Sequence, residues 1–522
     1  MKYILAYDAG TGSIRAVLFD TDGNQIGFSQ HEWIHVSDKR YPGSMGFDYE
    51  NNWQLLIKCT RDVIRKTSVN PEDIKAISAT SMREGIVLYN SSGDEIWACA
   101  NVDSRASEEV SYLKQTYQML EEKLYQLSGQ TFALGAVPRL LWLKNNMPDV
   151  YEQTASMTML NDWILYKLSG VLQVDPSNGC TTGIFDLKSR DWARGYLQKC
   201  GLKDTLFTPV NEAGTVIGEI GGEVASLTGL AKGTKVVAGG GDAQMATVGA
   251  GAIEEHQTVV SGGSFWQQEV NTNQPFVDVK GRIRVNCHAV PGLWQIETIA
   301  FFPGLVMRWF RDAFCQAEVA KGRESGRDPY DLLEELAKDV PVGSNGIFPV
   351  FSDIMNYYAW RHAAPSFINL TLDPHITGKK EMFRSLQENA ALITLGNLKL
   401  IEEVTSSYPK EVIFVGGASK GKLWSQTLSD VLGVTVKVPT VKESAALGTA
   451  LYAGVGAGLY TNIKEAVNNV VKWDRVHEPD QSNHQTYLKI YDKWRVVYER
   501  QLQLADEGVT SHMWKAPGFQ SN

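Results

Sequence analysis

The chain has 522 residues, of which 43% are hydrophobic and 21% charged, a composition typical of a globular protein with at least two domains. A formal net charge of −9 without a basic tract argues against nucleic acid as a principal partner. The opening apolar run ends at Asp8, too early for a signal peptide, and no apolar stretch is long enough to span a bilayer, so we expect no membrane partner. Six scattered cysteines without a CxxC pair indicate reduced thiols and hence a cytoplasmic protein without a cysteine-bound metal.

The first part of the chain is predicted to be rich in strands. Apolar runs at residues 3–8 and 13–20 predict two strands joined by a glycine turn, and residues 25–31 can form a third. A helical pattern covers about residues 49–66, and residues 74–79 predict a short strand. This mixture of strands and helices indicates an α/β fold.

The next part of the chain is predicted to change from strands to helices. A polar segment at residues 81–85 leads into a predicted hairpin around residues 91–93. From about residue 104 to 170 the pattern is mainly helical, and strand character returns toward residue 236. The helical stretch is interrupted at Gly129, Pro138 and Pro148.

A similar series of elements begins again in the second half. Residues 258–260 and 265–270 predict strands on either side of a glycine turn, as at the N-terminus, which suggests a duplication. A further strand is predicted at residues 412–415, followed by a helix through Leu428. The last predicted elements of this half are a strand at 434–438 and a helix at 444–454, which we expect to close it.

Residues 461–522 are predicted to form a mostly helical tail. Its aromatic residues fall at helical spacing, at Tyr487, Tyr491, Trp494 and Tyr498. Such a stripe is far more often a packing face than a ligand site. We therefore expect an N-terminal domain at 1–250, a C-terminal domain at 251–460 and the tail.

One carboxylate stands at a turn between a predicted strand and a predicted helix. The β-branched Val236-Val237 leads into Gly239–Gly241 and then Asp242. Taken alone, Asp242 is an N-cap whose carboxylate accepts from free backbone N–H groups. Two other turns, Asp8–Ser13 and Ser261–Ser264, combine glycines that let N–H groups approach an anion with hydroxyl donors. Taken together, the three turns predict phosphoryl transfer to a hydroxyl, with Asp242 taking the proton.

Two glycine-rich segments begin like nucleotide-binding fingerprints and then depart from them. In Gly10–Arg15, Arg15 replaces the third glycine of a dinucleotide fingerprint, and a strand follows where that motif requires a helix. Gly416–Leu423 has P-loop spacing until Leu423, which cannot hold magnesium as Ser or Thr does. The second segment is either an ordinary strand-to-helix turn or a turn suited to close approach by a nucleotide.

Three further charged residues are candidates for a site. Asp8 ends an apolar strand directly before a glycine turn, where an Asp usually caps the turn. Beside phosphates, the same carboxylate is well placed to hold hydrated magnesium. The neighbouring Arg83 and Glu84 are either a solvated surface pair or donors and acceptors for a polyol.

These segments occur in the order found in the FGGY carbohydrate kinases, and the chain resembles this family over about residues 3–460. The segments that carry the resemblance are Asp8–Arg15, Met82–Glu84, Gly240–Asp242, Gly416–Lys422 and Glu443–Gly448. Longer and more specific similar segments are Ser81–Tyr89, Trp97–Asp103, Met307–Cys315, His362–Leu370 and Trp514–Gly518. The resemblance implies two actin-like, ribonuclease-H-type domains with the active site in the cleft between them.

The resemblance also implies a role for each candidate residue. The phosphoryl donor would be ATP with Mg²⁺, and the acceptor would be a small polyol or diketone. Asp242 would be the catalytic base, Asp8 and Asp242 would lie at the metal, and Arg83 and Glu84 would join Asp242 in binding the acceptor. The residues implied at the phosphates and along the nucleotide are Thr11, Gly262, Gly263, Ser264, Gly416, Gly417, Ala418 and Lys420.

One departure from the family pattern bears on the acceptor. Glycerol kinases have Gln directly after the catalytic Asp, where this chain has Ala243, and they clamp glycerol with aromatic residues in the regions around Val102 and Leu134, which are aliphatic here. The departure argues against glycerol and for a larger or more oxidised acceptor. Two alternatives stay open: another kinase of the family that acts on a pentulose or polyol, and an actin-like ATPase or sugar-responsive binding protein that needs no base.

Overall fold

The structure is a computed structural model that describes residues 1–117, 119–441 and 443–515. The elements of the first unit are β1 (Tyr3–Ala9), β2 (Ser13–Asp20), β3 (Gln25–Glu32), β4 (His35–Val36), β5 (Gly46–Phe47), α1 (Tyr49–Thr67), β6 (Ile74–Ser81), β7 (Ile86–Tyr89), β8 (Glu95–Cys99), α2 (Ser107–Thr116), α3 (Leu120–Ser128), α4 (Ala136–Asn146), α5 (Pro148–Gln153), β9 (Ser156–Met159), α6 (Leu160–Ser169), α7 (Pro176–Gly179), β10 (Phe185–Asp186), β11 (Asp191–Trp192), α8 (Tyr196–Lys199), β12 (Val216–Glu219), α9 (Gly222–Thr228), β13 (Lys235–Val237), β14 (Gly240–Gly241) and α10 (Asp242–Gly249). The elements that follow are β15 (Thr258–Gly262), β16 (Trp266–Thr272), β17 (Arg284–Cys287), β18 (Trp294–Ala300), α11 (Pro303–Phe314), α12 (Gln316–Ser325), α13 (Pro329–Ala337), β19 (Phe348–Val350), β20 (Arg361–His362), β21 (Ser366–Ile368), α14 (Lys379–Thr405), β22 (Glu411–Val415), α15 (Lys422–Leu432), β23 (Thr435–Pro439), α16 (Ser444–Gly456), α17 (Ile463–Val470), β24 (Trp473–His477), α18 (Gln481–Asp506) and β25 (Trp514–Lys515).

The first large sheet is covered by helices on both faces. Its strands lie in the order β12-β13-β6-β1-β2-β3, with β14 also paired to β6. Successive residues of β1 point to opposite faces, as expected for a strand. Leu5 and Tyr7 join the core formed with α1, whereas Ile4 and Ala6 join the core formed with α16.

The second large sheet repeats the topology of the first. Its order is β17-β18-β16-β15-β22-β23-β24. Each sheet contains an antiparallel meander of three strands, which is β1-β2-β3 in the first sheet and β15-β16-β18 in the second. Two strands that run parallel to the first strand of the meander lie on its other side, and an antiparallel strand forms the edge beyond them. The duplication suggested by the two opening hairpins is therefore visible in the strand order.

Helix α16, which stands at the position predicted for the last helix of the second half, packs on the first sheet and so connects the two units. It lies against α10, where a Cβ added to Gly249 would come within 1.9 Å of the carbonyl oxygen of Ser444. A Cβ added to Gly448 would come within 2.0 Å of the carbonyl oxygen of Met245. Glycine at both positions lets the two helix backbones touch, and this contact returns the chain to the first unit.

The stretch from 104 to 170 is mainly helical, as predicted, and differs from the prediction at two points. Residues Ser156–Met159 form β9, which pairs with β7 in a small sheet of order β4-β5-β8-β7-β9. Pro138 does not interrupt a helix, because it lies in the first turn of α4, where a backbone N–H has no intrahelical partner. The breaks at Gly129 and Pro148 are confirmed as the end of α3 and the start of α5.

The tail is shared between the two units, because α17 packs with α16 in the core on the first sheet whereas the segments from β24 onward pack on the second unit. The stripe Tyr487, Tyr491, Trp494 and Tyr498 of α18 is buried, which confirms it as a packing face. Strand β24 extends the second sheet beside β23, and β25 pairs with β20. In the part of the chain that the structure describes, each helix is too short or too polar to cross a bilayer.

Candidate active site

The two predicted carboxylates lie at the ends of two strands of the first sheet that pair with β6 on either side. Asp8 in β1 and Gly240 in β14 both stand opposite Thr80 of β6, and the Thr80 hydroxyl donates to the Gly240 carbonyl oxygen at 2.8 Å. Asp242 follows two residues later. Burial raises the pKa of Asp8 to about 7, with Arg15 opposing the shift and the nearby Asp242 adding to it. The sheet register thus brings together two residues that are far apart in sequence.

Asp242 does not cap the helix that it begins. The N-cap of α10 is Gly241, which makes no side-chain capping bond, and Asp242 Oδ1 accepts from the backbone N–H of the next residue, Ala243, at 2.8 Å. About 38% of the Asp242 side-chain surface remains accessible. Burial of the carboxyl group raises its pKa above the ordinary value, with Arg83 opposing the shift. The geometry therefore favours a carboxylate that faces a ligand over the N-cap interpretation.

Arg83 links the first unit to the second. Its guanidinium makes two hydrogen bonds to Glu297 of β18, with Nη2 to Oε1 at 3.1 Å, and its Nε lies 3.6 Å from Asp242 Oδ1. Glu297 is fully buried. Burial alone would raise the pKa of Glu297, but Arg83 and Arg284 outweigh it and hold this pKa below the ordinary value. Glu297 therefore carries the negative charge that holds Arg83 beside Asp242.

Glu84 makes the complementary contact to the second unit. Its carboxylate pairs with Arg284 of β17, whose Nη1 also lies 3.7 Å from Glu297 Oε1. The backbone of Glu84 has φ +60°, which is uncommon for a residue with a side chain, and its carbonyl oxygen accepts from Arg139. Arg83 and Glu84 thus face Glu297 and Arg284 in two crossed ion pairs between the units.

A second buried carboxyl group stands beside Glu297. Glu269 of β16 is directly opposite Glu297 of β18 and is 2% exposed. Burial and the charge of Glu297 raise the pKa of Glu269 well above its ordinary value. The neutral form of Glu269 is therefore favoured while Glu297 remains ionised.

A cavity of about 450 Å³ opens beside Arg83 and Glu84. Both units contribute walls to this aromatic cavity, which include Val102, Leu134, Phe265, Phe301, Tyr357, Trp360 and Trp514. Val102, Leu134 and Phe265 each expose 40–49% of their surface, so apolar area is available to a ligand. Its size and its combination of apolar walls with a few charged groups are those of a small-molecule site.

A second cavity, of about 490 Å³, is formed by the two glycine turns of the second unit. The candidate residues that line this glycine-turn cavity are Gly262, Gly263, Ser264, Gly417, Ala418 and Lys420. Gly416 has φ +88° and packs behind the lining, where an added Cβ would come within 2.7 Å of the Gly262 carbonyl oxygen. Ser264 lines the glycine-turn cavity and Phe265 the aromatic cavity, so the two cavities adjoin at this turn.

Besides Gly416, three predicted residues, Thr11, Asp8 and Asp242, lie outside the linings of both cavities among the described residues. Thr11 is on the exposed turn between β1 and β2, where its hydroxyl accepts from Asn101 at 3.1 Å. Asn101 in turn lines the aromatic cavity. Thr11 is therefore next to the acceptor side of the site, whereas the other predicted phosphate residues surround the glycine-turn cavity.

The candidate metal ligands of the site are the two carboxylates Asp8 and Asp242, and such a pair suits a hydrated magnesium ion better than a metal ion whose ligands all come from the protein. Within the described ranges, no group of three or more His, Cys, Asp and Glu side chains could hold a metal ion. Asp8 and Asp242 form a pair in which the charge of one raises the pKa of the other. Mg²⁺ is commonly bound through one or two carboxylates, with water and substrate phosphates completing its shell.

The fold and the site define a class: a two-domain kinase that acts on a small molecule in the cleft between two related α/β units. The chain belongs to the FGGY family of carbohydrate kinases, since residues 3–249 match the N-terminal domain of that family and residues 268–457 match its C-terminal domain. It is an ATP-dependent kinase, and the family predicted from the sequence is confirmed.

Relatives of known name match nearly the whole chain. The autoinducer-2 kinase of Escherichia coli K12 is 51% identical over 518 residues, which are 99% of this chain and 98% of that protein. The autoinducer-2 kinase of Salmonella typhimurium LT2 is 49% identical over the same shares of both chains.

Solved structures confirm the predicted fold. The xylulose kinase of Lactobacillus acidophilus superposes with a TM-score of 0.83 at 21% identity, covering 97% of this chain and 99% of that one. The glycerol kinase of Plasmodium falciparum with ADP superposes with a TM-score of 0.82 at 18% identity, covering 96% and 98%. The chain therefore has the expected two-domain, actin-like α/β architecture.

Proposed function

We propose that this kinase transfers the γ-phosphoryl group of ATP to the terminal hydroxyl of linear 4,5-dihydroxy-2,3-pentanedione, the precursor of autoinducer-2, giving phospho-autoinducer-2. The observation that carries the proposal is the 51% identity over 518 residues to an autoinducer-2 kinase. The aliphatic side chains of Val102 and Leu134 on the wall of the aromatic cavity add support, because they suit the carbon chain of a diketone better than they suit glycerol.

The acceptor is oriented by the charged groups at the base of the aromatic cavity. Arg83 and Glu84 offer donors and acceptors to its oxygens, and Asp242 beside Arg83 takes the proton of the attacking hydroxyl. Little covalent chemistry is required of a phosphoryl-transfer enzyme, so alignment and electrostatic stabilisation supply most of the catalysis. The crossed ion pairs between the units support this role, because they hold Arg83 and Glu84 in place before the acceptor arrives.

The donor occupies the glycine-turn cavity. The backbone N–H groups of Gly262, Gly263 and Gly417, with the hydroxyl of Ser264 and the ammonium of Lys420, provide donors for the phosphates. Thr11 adds a hydroxyl from the opposite unit. Reduced cysteines and the need for ATP are consistent with a cytoplasmic location.

Asp8 and Asp242 are the residues that would hold a hydrated Mg²⁺. When bound there, the ion neutralises negative charge on the phosphates. Asp8 stands at the end of β1 directly before the turn that carries Thr11, which supports its placement on the phosphate side of the cleft. Burial raises its pKa although Arg15 opposes the shift, and a bound cation would favour its ionised form.

The proposed acceptor is tested by measuring ADP release with dihydroxypentanedione, xylulose, ribulose and glycerol at saturating ATP. We expect kcat/KM for dihydroxypentanedione to exceed that for glycerol by at least about a hundredfold, because apolar walls and unpaired polar groups supply roughly 3 kcal/mol of discrimination. Acceptor-free reactions give the background. Equal or better turnover of glycerol would refute this acceptor, and a preference for xylulose or ribulose would assign a pentulose kinase instead.

Replacing Asp8 by asparagine tests the metal assignment. We expect Asp8→Asn to require at least about tenfold more magnesium for half-maximal activity, because a neutral amide is a poorer ligand for a hard cation. The matched control is Asp22→Asn, which changes an exposed aspartate in the turn between β2 and β3. If Asp8→Asn and the control give the same magnesium titration at normal activity, Asp8 is a turn residue and not a metal ligand.

A further inference from the structure

The end of the tail reaches the aromatic cavity. Strand β25 pairs with β20, with Trp514 opposite His362 and Lys515 opposite Arg361. The N–H of Met513 also donates to the carbonyl oxygen of His362 at 3.1 Å. These bonds hold Trp514 against the second unit, and its side chain is part of the cavity lining.

Trp514 is the outer member of a cluster of aromatic rings. It stacks on Phe301 with ring centroids 4.5 Å apart and an angle of 25° between the planes, and it meets Trp360 edge-on at 5.7 Å. Phe301 in turn contacts Trp360 at 4.4 Å and Phe265 at 5.8 Å. All four rings line the same cavity, so the stack on Trp514 supports the wall that includes Phe265.

The opposite wall of the cavity belongs to the first unit and consists of smaller side chains. Val102 and Leu134 lie there, and Val102 directly follows the Asn101 that binds Thr11. Aromatic surface is thus supplied by the second unit and the tail, while aliphatic surface is supplied by the first. An acceptor bound at Arg83 and Glu84, as proposed above, would extend its carbon chain between these two walls.

We propose that Trp514 is a specificity-determining residue of the acceptor site, and that the tail is the segment that delivers it. By stacking on Phe301, Trp514 closes one side of the aromatic cavity and so limits the length of acceptor that fits. It also excludes water from the aromatic wall. The inference rests on the proposed acceptor reaction, and it assigns a role in that reaction to residues beyond the helical part of the tail.

The test compares Trp514→Ala with Trp514→Phe in the full-length chain. We expect Trp514→Ala to raise KM for dihydroxypentanedione by about tenfold, since a stacked aromatic pair contributes up to about this factor, with KM for ATP unchanged. We also expect it to improve kcat/KM for a six-carbon ketose relative to dihydroxypentanedione by about tenfold. Trp514→Phe keeps a stacking ring and is expected to stay within about threefold of wild type. A chain that ends at His512 should behave as Trp514→Ala does.

The matched control is Lys515→Ala, since Lys515 is exposed and its side chain points to the other face of β25. Melting temperature and ADP binding are measured for every variant. Unchanged KM and selectivity in Trp514→Ala would overturn the inference. An equal rise of KM for ATP and for the acceptor, together with a lower melting temperature, would also overturn it. If the wild type ignores dihydroxypentanedione but uses another acceptor, the proposed function fails, and the same variants measured with that acceptor decide the inference separately.

Discussion

Asp242→Asn is expected to yield a folded protein that binds nucleotide normally and turns over about 10²–10⁴-fold more slowly than wild type. Asparagine is nearly isosteric with aspartate, and the structure shows that Asp242 makes no capping bond whose loss could unfold α10. The amide cannot take the hydroxyl proton as a carboxylate does. Melting temperature, ADP affinity and ADP release should be measured on one preparation.

The matched control for Asp242→Asn is the same substitution at a true helix cap. Asp480 caps α18, where its side chain accepts from the backbone N–H of Asn483 at 2.9 Å, and it lines neither cavity. Asp480→Asn should keep full turnover, because asparagine is also a good N-cap. If Asp242→Asn retained more than a few per cent of wild-type turnover, the general-base assignment would be wrong.

The local elements around the site are predictable from the sequence because short-range patterns specify them. The strand, glycine turn and second strand at residues 3–20 are found as β1 and β2, and those at 258–270 as β15 and β16. The strand ending before Gly416 and the helix after it are also found, as β22 and α15. In each case the element is specified by residues that are close together in the sequence. Periodic apolar residues indicate the strand or helix, and glycines adopt the backbone conformation that the turn requires.

The partners of Arg83 and Glu84 could not be predicted in the same way. Glu297, Arg284 and Glu269 each stand within a buried strand, and a charged residue in such a strand is the signal that could have marked them. That signal does not say which residues pair. The pairing depends on how the two units face each other, and no local pattern encodes this.

The placement of α16 and of the tail depends on long-range packing for the same reason. The sequence predicts a helix at 444–454 correctly, but its packing on the first sheet depends on Gly249 and Gly448 meeting across two helices. Likewise, the sequence resemblance includes Trp514, while its contact with Phe301 joins residues more than 200 positions apart. Local sequence patterns therefore predict the helices and strands, whereas contacts between residues far apart in the sequence decide where these elements pack.

The largest expected effect on stability concerns the two carboxyl groups beside Arg83. Breaking a buried ion pair by removing one partner costs about 3–5 kcal/mol, because the other charge is left uncompensated. In Glu297→Gln, however, Glu269 no longer faces a negative neighbour, and Arg83 then favours its ionised form. We therefore expect Glu297→Gln to lose less than this amount, and Glu269→Gln alone to lose little.

The double variant Glu269→Gln/Glu297→Gln removes both carboxyl groups of the second unit that face Arg83 and leaves Asp242 of the first unit, 3.6 Å from Arg83 Nε. We expect its free energy of unfolding to fall by about 3–5 kcal/mol, more than the sum of the single losses. Because Arg83 is then held less firmly, kcat/KM for the acceptor should fall by at least about a hundredfold, a loss that misplacement by about 1 Å can cause. Urea unfolding followed by tryptophan fluorescence and initial rates over a range of acceptor concentrations give the two quantities.

Glu388→Gln separates the loss of stability from the loss of acceptor binding. Glu388 lies 3.6 Å from Arg384 in α14, both side chains are buried, and neither residue lines the aromatic cavity or the glycine-turn cavity. This variant should lose stability by the same physical cause while KM for the acceptor stays at the wild-type value. Strict additivity of the two cleft substitutions would mean that Glu269 does not take over the charge of Glu297. An unchanged acceptor KM in the double variant would mean that Glu297 stabilises the fold without positioning Arg83.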